Sequence, residues 1–438
     1  MNKTGTVALT AIGCRTNQEE VTSLSAALRE DGYHIVQHNT IADIIIINTC
    51  SVTAGTESKT KRLIKSVTRK YPGARVLVTG CMAQQIPEEL LEIPGVTWVV
   101  GNTRKKDIPQ IIKNEKDGLF YSPINDKTVP AAAAPVHPTE PPEEWRTRYP
   151  VKIQEGCDYR CSYCIVPLLR GPSRSVGRND ILTLCRRVAD VGYKEIVFTG
   201  THIGQYEDNN GYRLVQLIDE VLALPGDFRI RLSSLDPRDC TDELLTRITE
   251  ESRLCDHIHV SVQSLCPEVL AGMNRVYTEY DTFIERILSF RSRSPYAGIG
   301  GDFIVGFPGE TKSMFETTLA MAEKIGFNYG HVFRYSKRPG TVAATMQNHI
   351  SEKDKIERSS TFRSLLDSQR TRFIQKQLHS VIHTIIIERE KPIHGITSNY
   401  IRVEVPALRR NRNTWLPVRI TSYSADRNYC IGALCEEQ

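Results

Sequence analysis

Cys157-Asp158-Tyr159-Arg160-Cys161-Ser162-Tyr163-Cys164 stands two residues beyond the run Val151-Lys152-Ile153-Gln154. A short strand followed at once by three cysteines puts three thiolates at a strand's carboxyl end, where α/β sheets and barrels collect their ligands. Three thiolates can hold three irons of a four-iron cluster and leave the fourth iron open to a ligand. A closed zinc site is the competing reading, but it needs a fourth donor close by, and the next cysteine, Cys185, falls on a predicted helix.

Downstream, the same run is the first of six predicted strands, over 151–154, 195–198, 229–232, 257–262, 301–305 and 331–335. Amphipathic helices are predicted between them over 180–190, 214–224, 242–249, 280–290 and 312–324. Six βα units fall short of the eight that close a full barrel, so an incomplete barrel with an open side is expected, wide enough for a large substrate. A helix over 352–376 then leads into 381–438, rich in Ile, Val, Thr and Tyr, which reads as a small all-β barrel.

Upstream, strands over 6–12, 41–48, 75–79 and 96–100 alternate with helices over 18–30 and 57–70. This predicts an α/β layer with a largely parallel sheet. Cys14, Cys50 and Cys81 each sit just after one of these strands; a lone strand-end cysteine is ordinarily a buried free thiol. The stretch 130–142 is mostly Ala and Pro, a linker composition. The expected division is 1–120, a linker over 121–148, a core over 149–373 and the small barrel over 374–438.

The chain has 438 residues, 40% hydrophobic and 24% charged, proportions of a globular protein of several domains rather than a disordered or fibrous one. Its first residues lack a basic segment followed by a long apolar one, and its most apolar run, 41–47, is far shorter than a membrane span. A cytoplasmic protein is expected. Twelve cysteines in such a chain point to metal or reactivity rather than disulfides. The formal charge of +5 permits nucleic-acid binding without demanding it.

The CxxxCxxC spacing on the first unit of a six-unit barrel resembles the radical S-adenosylmethionine enzymes. That resemblance implies a [4Fe-4S] cluster whose open iron binds the amino and carboxylate groups of S-adenosylmethionine, and whose electron splits the cofactor to a 5′-deoxyadenosyl radical. In Phe198-Thr199-Gly200, Thr199 and Gly200 match the family's contact to the methionyl amine, and Ser233 and Ser234 its ribose and carboxylate contacts. Gln263 matches the end of the fourth strand. Within Val305-Gly306-Phe307-Pro308-Gly309-Glu310, Val305, Gly306 and Gly309 match the adenine turn. The chain departs from the pattern at Ser261, where a Pro is common, and at Leu265, where a Gly is usual.

Gly13-Cys14-Arg15-Thr16-Asn17-Gln18-Glu19, Asn48-Thr49-Cys50 and Thr79-Gly80-Cys81 resemble the amino-terminal domain of methylthiotransferases. There the resemblance implies that Cys14, Cys50 and Cys81 hold a second [4Fe-4S] cluster. The segment from Gly395 to Arg402 resembles the TRAM module of the same enzymes. The implied reaction inserts a methylthio group at carbon 2 of a modified adenine in the tRNA anticodon loop, on the 3′ side of the anticodon. No acid-base residue is implied beyond the clusters, because that carbon-hydrogen bond is not acidic. The segments 12–18 and 199–202 resemble the subgroup acting on threonylcarbamoyladenosine more than the one acting on isopentenyladenosine; a third subgroup modifies a ribosomal-protein aspartate.

Candidate RNA contacts are Lys61, Arg62 and Lys65 on one helix and Arg402, Arg409, Arg410 and Arg412 in the tail. A monomer without a membrane partner is expected, and the electron donor and sulfur source stay unidentified. The opposing class is a metal-stabilised RNA-binding protein, with zinc in place of iron and no cleavage of S-adenosylmethionine.

Overall fold

The computed structural model describes residues 5–114, 116–124, 147–275, 280–406 and 410–435. Most of the predicted linker, and Arg409, lie outside these residues.

Six parallel strands form the first sheet: β1 (Thr6–Ala11), β2 (His34–Val36), β3 (Ile44–Thr49), β4 (Arg75–Gly80), β5 (Val96–Val100) and β6 (Gly118–Phe120), in the order β2-β1-β3-β4-β5-β6. Every residue of β3 is buried. Ile45 and Ile47 pack with Ile64, Val76 and Val78 on one face, and Ile44 and Ile46 with Leu28, Leu77 and Trp98 on the other. Burial of each such isoleucine contributes about 1.5–3 kcal/mol, which explains a continuous apolar run in place of alternation. The helices Arg15–Glu30 and Ala54–Lys70 begin a few residues before their predicted starts. The strand order reverses between β1 and β3, and α/β sheets place ligands at such a reversal, beyond the strands' carboxyl ends.

The core domain holds β7 (Arg148–Glu155), β9 (Glu195–Gly200) and β10 (Arg229–Leu232) in parallel, with the two-residue β8 (Arg174–Ser175) antiparallel on the free side of β7. A second parallel group contains β11 (His257–Gln263), β12 (Gly298–Val305) and β13 (Tyr329–Arg334). Leu235 stitches the two groups: its N–H donates to His259 O, and Ser261 N–H donates to Leu235 O, both at 2.8 Å. A proline at 261 has no such N–H to give, so the departure at Ser261 supplies a bond at the seam between groups. Leu265, the other departure, is buried in the core. No pairing between β13 and β7 occurs among the described residues, and the barrel is open on that side, as expected. Thr241 and Thr311 cap the helices Asp242–Glu250 and Lys312–Ile325 by accepting from Leu244 N–H and Met314 N–H.

A closed five-stranded barrel completes the chain, with β14 (Ile382–Glu390), β15 (Ile393–Ile396), β16 (Arg402–Val405), β17 (Trp415–Ser424) and β18 (Tyr429–Leu434) in the order β14-β15-β16-β18-β17. It is docked through buried charge. Glu195, fully buried at the start of β9, pairs with Arg229 and Arg231 at 2.8 Å each. Arg231 in turn donates to Ser398 O at 2.8 Å and Thr397 O at 3.0 Å, and Arg229 to Ile396 O at 3.0 Å. No helix among the described residues is long and apolar enough to cross a membrane.

Candidate functional site

Gly156 turns the chain out of β7 with φ of 81°, and a β-carbon there would lie 1.8 Å from Pro172 O, so only glycine fits. The cysteine loop that follows is pinned by Cys157 N–H to Gly171 O at 3.0 Å and by Ser162 Oγ to Gly272 O at 2.8 Å. His202, just past β9, places Nδ1 3.8 Å from Cys157 Sγ and Nε2 2.7 Å from Asp239. Burial opposes a charge on His202, yet Asp239 and Cys157 raise its imidazole to about 10. Arg275 donates to Cys161 Sγ at 3.6 Å and is itself held by Asp236 at 2.8 Å. Burial pushes the Cys164 thiol up to about 12, so this sulfur keeps its proton until a metal displaces it.

The residues matched to cofactor contacts surround the same end of the barrel: Thr199 and Gly200 on β9, Ser233 and Ser234 after β10, Gln263 closing β11, Val305 closing β12, and Gly306 and Gly309 in the turn beyond. Thr199 Oγ1 is buried without a hydrogen-bond partner among the described residues. Gln263 holds a positive φ of 65°. Gly306 N–H donates to Glu310 at 2.6 Å, and Arg358 clamps the same carboxylate.

Cys14, Cys50 and Cys81 follow β1, β3 and β4 and face one another. Gly13 makes that approach feasible, since a β-carbon there would lie 2.7 Å from Cys50 Sγ. Asn17 laces the loops by donating to Ile12 O at 2.8 Å and Thr49 O at 2.9 Å, and Thr49 Oγ1 donates to Thr79 O at 2.5 Å. Burial lifts the Cys50 thiol to about 12. Cys81 packs against Ile165 and Leu169, the helix directly after Cys164, so the two cysteine sets back onto one short segment.

Among the described residues, His259, Asp302 and His331 bring one ligand atom each within 4.8 Å of one another.

Arg170, which sequence reasoning missed, ends that segment. It is buried and donates to Glu20 at 2.8 Å, Glu155 at 2.9 Å and Asn17 Oδ1 at 2.9 Å, and its charge bears on Cys81 and Cys14. Its partners lie up to 153 positions away, so no local pattern announces it. Arg170→Lys gives up the planar fork that serves three acceptors, and is expected to cost about 1–3 kcal/mol, read as a lower melting temperature of the iron-loaded protein.

The candidate RNA residues divide. Lys61 is paired with Glu89 at 2.8 Å and with Glu57 at 3.8 Å, while Arg62 and Lys65 on the same helix are exposed. Arg402 and Arg410 are exposed and Arg412 half-buried.

Residues 6–101 match the model described as uncharacterized protein family UPF0004, and residues 151–322 that of the radical SAM superfamily. The threonylcarbamoyladenosine tRNA methylthiotransferase MtaB of Aquifex aeolicus is 34% identical over 405 residues, covering 91% of this chain and 96% of that protein. This chain belongs to the radical S-adenosylmethionine tRNA methylthiotransferases. The MtaB of Bacillus subtilis is also 34% identical, covering 91% of this chain and 90% of its own. A tRNA-2-methylthio-N(6)-dimethylallyladenosine synthase of Geotalea uraniireducens is 33% identical, with 98% of each covered. Among solved structures, the radical S-adenosylmethionine methyltransferase TsrM of Kitasatospora setae superposes with a TM-score of 0.59 over 77% of this chain and 75% of that one, at 15% identity, a likeness of fold alone. The methylthiotransferase therefore uses [4Fe-4S] clusters and S-adenosylmethionine, and its substrate is tRNA.

Proposed function

We propose that this methylthiotransferase acts on N6-threonylcarbamoyladenosine next to the anticodon, placing the methylthio group at carbon 2. The observation that carries the choice is the chemistry of the barrel interior. Alternate residues of β7 and β9 to β13 turn away from the apolar core, and they include Lys152, Arg231, His259, Asp302, Tyr329 and His331 beside the apolar Val197 and Phe333. A dimethylallyl group is a hydrocarbon and gains no hydrogen bond from these charged and polar side chains; a threonylcarbamoyl group, with its hydroxyl, amides and carboxylate, finds partners among them.

In this reading Cys157, Cys161 and Cys164 hold the cluster that binds S-adenosylmethionine, and Cys14, Cys50 and Cys81 hold the second. Held by these three thiolates, the first cluster would supply one-electron reducing chemistry to the bound cofactor. Thr199, Gly200, Ser233, Ser234, Gln263, Val305, Gly306 and Gly309 position the cofactor over the opening. His202 and Arg275 fix the orientation of the Cys157 and Cys161 sulfurs, and Arg170 offsets thiolate charge at Cys14 and Cys81. The groove beside β13 receives an unstacked base, the form in which proteins reach RNA bases. Arg402, Arg410 and Arg412 then bear on phosphates in a salt-dependent way. The domain limits 1–120, 149–373 and 374–438 belong to the same proposal.

Mass spectrometry of nucleosides from tRNA of cells lacking the gene tests it. The expected result is loss of the 2-methylthio form of threonylcarbamoyladenosine with accumulation of its precursor. Loss of the dimethylallyl product instead, or an unchanged profile, overturns it.

A further inference from the structure

Along the unpaired edge of β13 runs a groove of about 560 Å³, lined by His331, Phe333 and Tyr400 and edged by Arg363, Arg370 and Arg402. Arg15, the residue after Cys14, reaches Tyr400 from the amino-terminal domain. Its Nη2 donates to the Tyr400 hydroxyl at 2.9 Å, and its guanidinium lies 5.8 Å from the ring centroid. Its charge is felt at His331 and Tyr329.

Several other buried cations of the interior are matched by acids. Arg229 and Arg231 share Glu195, Lys152 lies between Glu19 and Glu155, and Arg170 meets Glu20 and Glu155. Arg15 has no carboxylate partner among the described residues. A partly buried guanidinium without an anion is a site that an anionic ligand completes, and a carboxylate can take two of its N–H groups at once.

Tyr400 is built to hold its place. Its backbone lies in the left-handed region with φ of 71°, which a non-glycine residue keeps only where the surroundings determine it. They do so here: Ile401 N–H donates to Thr397 Oγ1 at 2.8 Å, Asn399 Nδ2 to Gln377 Oε1 at 2.8 Å, and Arg231 to Thr397 O. The Tyr400 ring stacks on His257 at 4.8 Å and Tyr329 at 5.3 Å. Because its oxygen accepts from Arg15, its own O–H is left to donate to a ligand.

We propose that Arg15, braced by Tyr400, binds the carboxylate of the threonylcarbamoyl group and thereby selects that nucleoside over one bearing a hydrocarbon at N6. This rests on the substrate reading above and adds the residue that does the reading. The placement follows from adjacency: Cys14 belongs to the sulfur set and Arg15 is its neighbour, so one turn of chain addresses both carbon 2 and the far end of the N6 group.

The test is equilibrium binding of anticodon stem-loops to the full-length, iron-loaded protein under anaerobic conditions. Three RNAs are compared, bearing threonylcarbamoyladenosine, its carboxyl methyl ester, and dimethylallyladenosine. The unaltered protein is expected to bind the acid about tenfold to a hundredfold more tightly than the ester. Arg15→Gln is expected to erase that difference by weakening the acid alone, and Arg15→Lys to restore part of it. Iron is measured in each variant; if Arg15→Gln loses iron, the acid and ester on unaltered protein decide. Equal binding of acid and ester by protein that still methylthiolates the acid-bearing RNA overturns the role of the carboxylate. A full preference surviving Arg15→Gln overturns the role of Arg15. Conversion of the dimethylallyl RNA alone is a different result, and it overturns the substrate reading first.

Discussion

Cys161→Ala is expected to abolish cleavage of S-adenosylmethionine and to lower bound iron from about eight atoms per chain to about four, as loss of one of two four-iron clusters requires. The thiol stands between Cys157 and Cys164 in a loop held by Gly156 and Ser162, with Arg275 on its sulfur. The other cysteines of the core domain, Cys185, Cys240, Cys255 and Cys266, are all buried. Cys14→Ala is expected to do the converse: about four irons remain, the cofactor is still cleaved, and no methylthio group reaches the RNA. Iron assay, dithionite-reduced paramagnetic resonance and product analysis read the three quantities separately. Colourless protein loaded with zinc would refute both expectations.

Glu195→Ala is expected to destabilise the enzyme by about 3–5 kcal/mol, because it leaves two buried guanidiniums without the one carboxylate that pairs with them among the described residues. The effect should spread to the last barrel, whose carbonyls at Ile396, Thr397 and Ser398 are held by those same arginines. Burial works against the charge of Glu195, but Arg231 and Arg229 hold its carboxyl well below the ordinary range. A carboxylate so lowered contributes stability that is complete above its unfolded pKa of about 4 and is lost as pH falls below that value. Denaturant titrations at pH 7 and in steps downward from pH 5 check both points. The unaltered protein should weaken steeply below about pH 4, and the variant, already weak at pH 7, less steeply.

Much of this architecture was legible in the chain. Each of the six core strands appears where the alternating or continuous apolar runs put it, and Arg229–Leu232 and Val96–Val100 coincide with their predicted limits. The three-residue strands His34–Val36 and Gly118–Phe120 were missed, since three residues are too few to display a period of two. Both lie at the edges of their sheet, where partial exposure blurs the pattern further. Cys14, Cys50 and Cys81 could be picked out because each closely follows a strand, and Cys157, Cys161 and Cys164 because their close spacing puts them in one loop after a strand. Arg170 and Arg15 could not, because their meaning depends on Glu155 and Tyr400, respectively, and on the folding of separate domains against one another. The cluster of positive charge at Lys61 proved partly a matched surface, with Glu57 and Glu89 taking up its lysine.

The open side of the barrel has one more implication. Because the gap between β13 and β7 is furnished by the helix Arg15–Glu30 and by Tyr400, the reaction chamber belongs to no single module and exists only in the assembled chain. Radical generation is anchored to strands that never need to change, while the wall opposite them is borrowed. On the proposed role of Arg15, a lineage can exchange what fits against that wall, and so the nucleoside it accepts, by editing the first turn of one helix and leaving every sulfur in place.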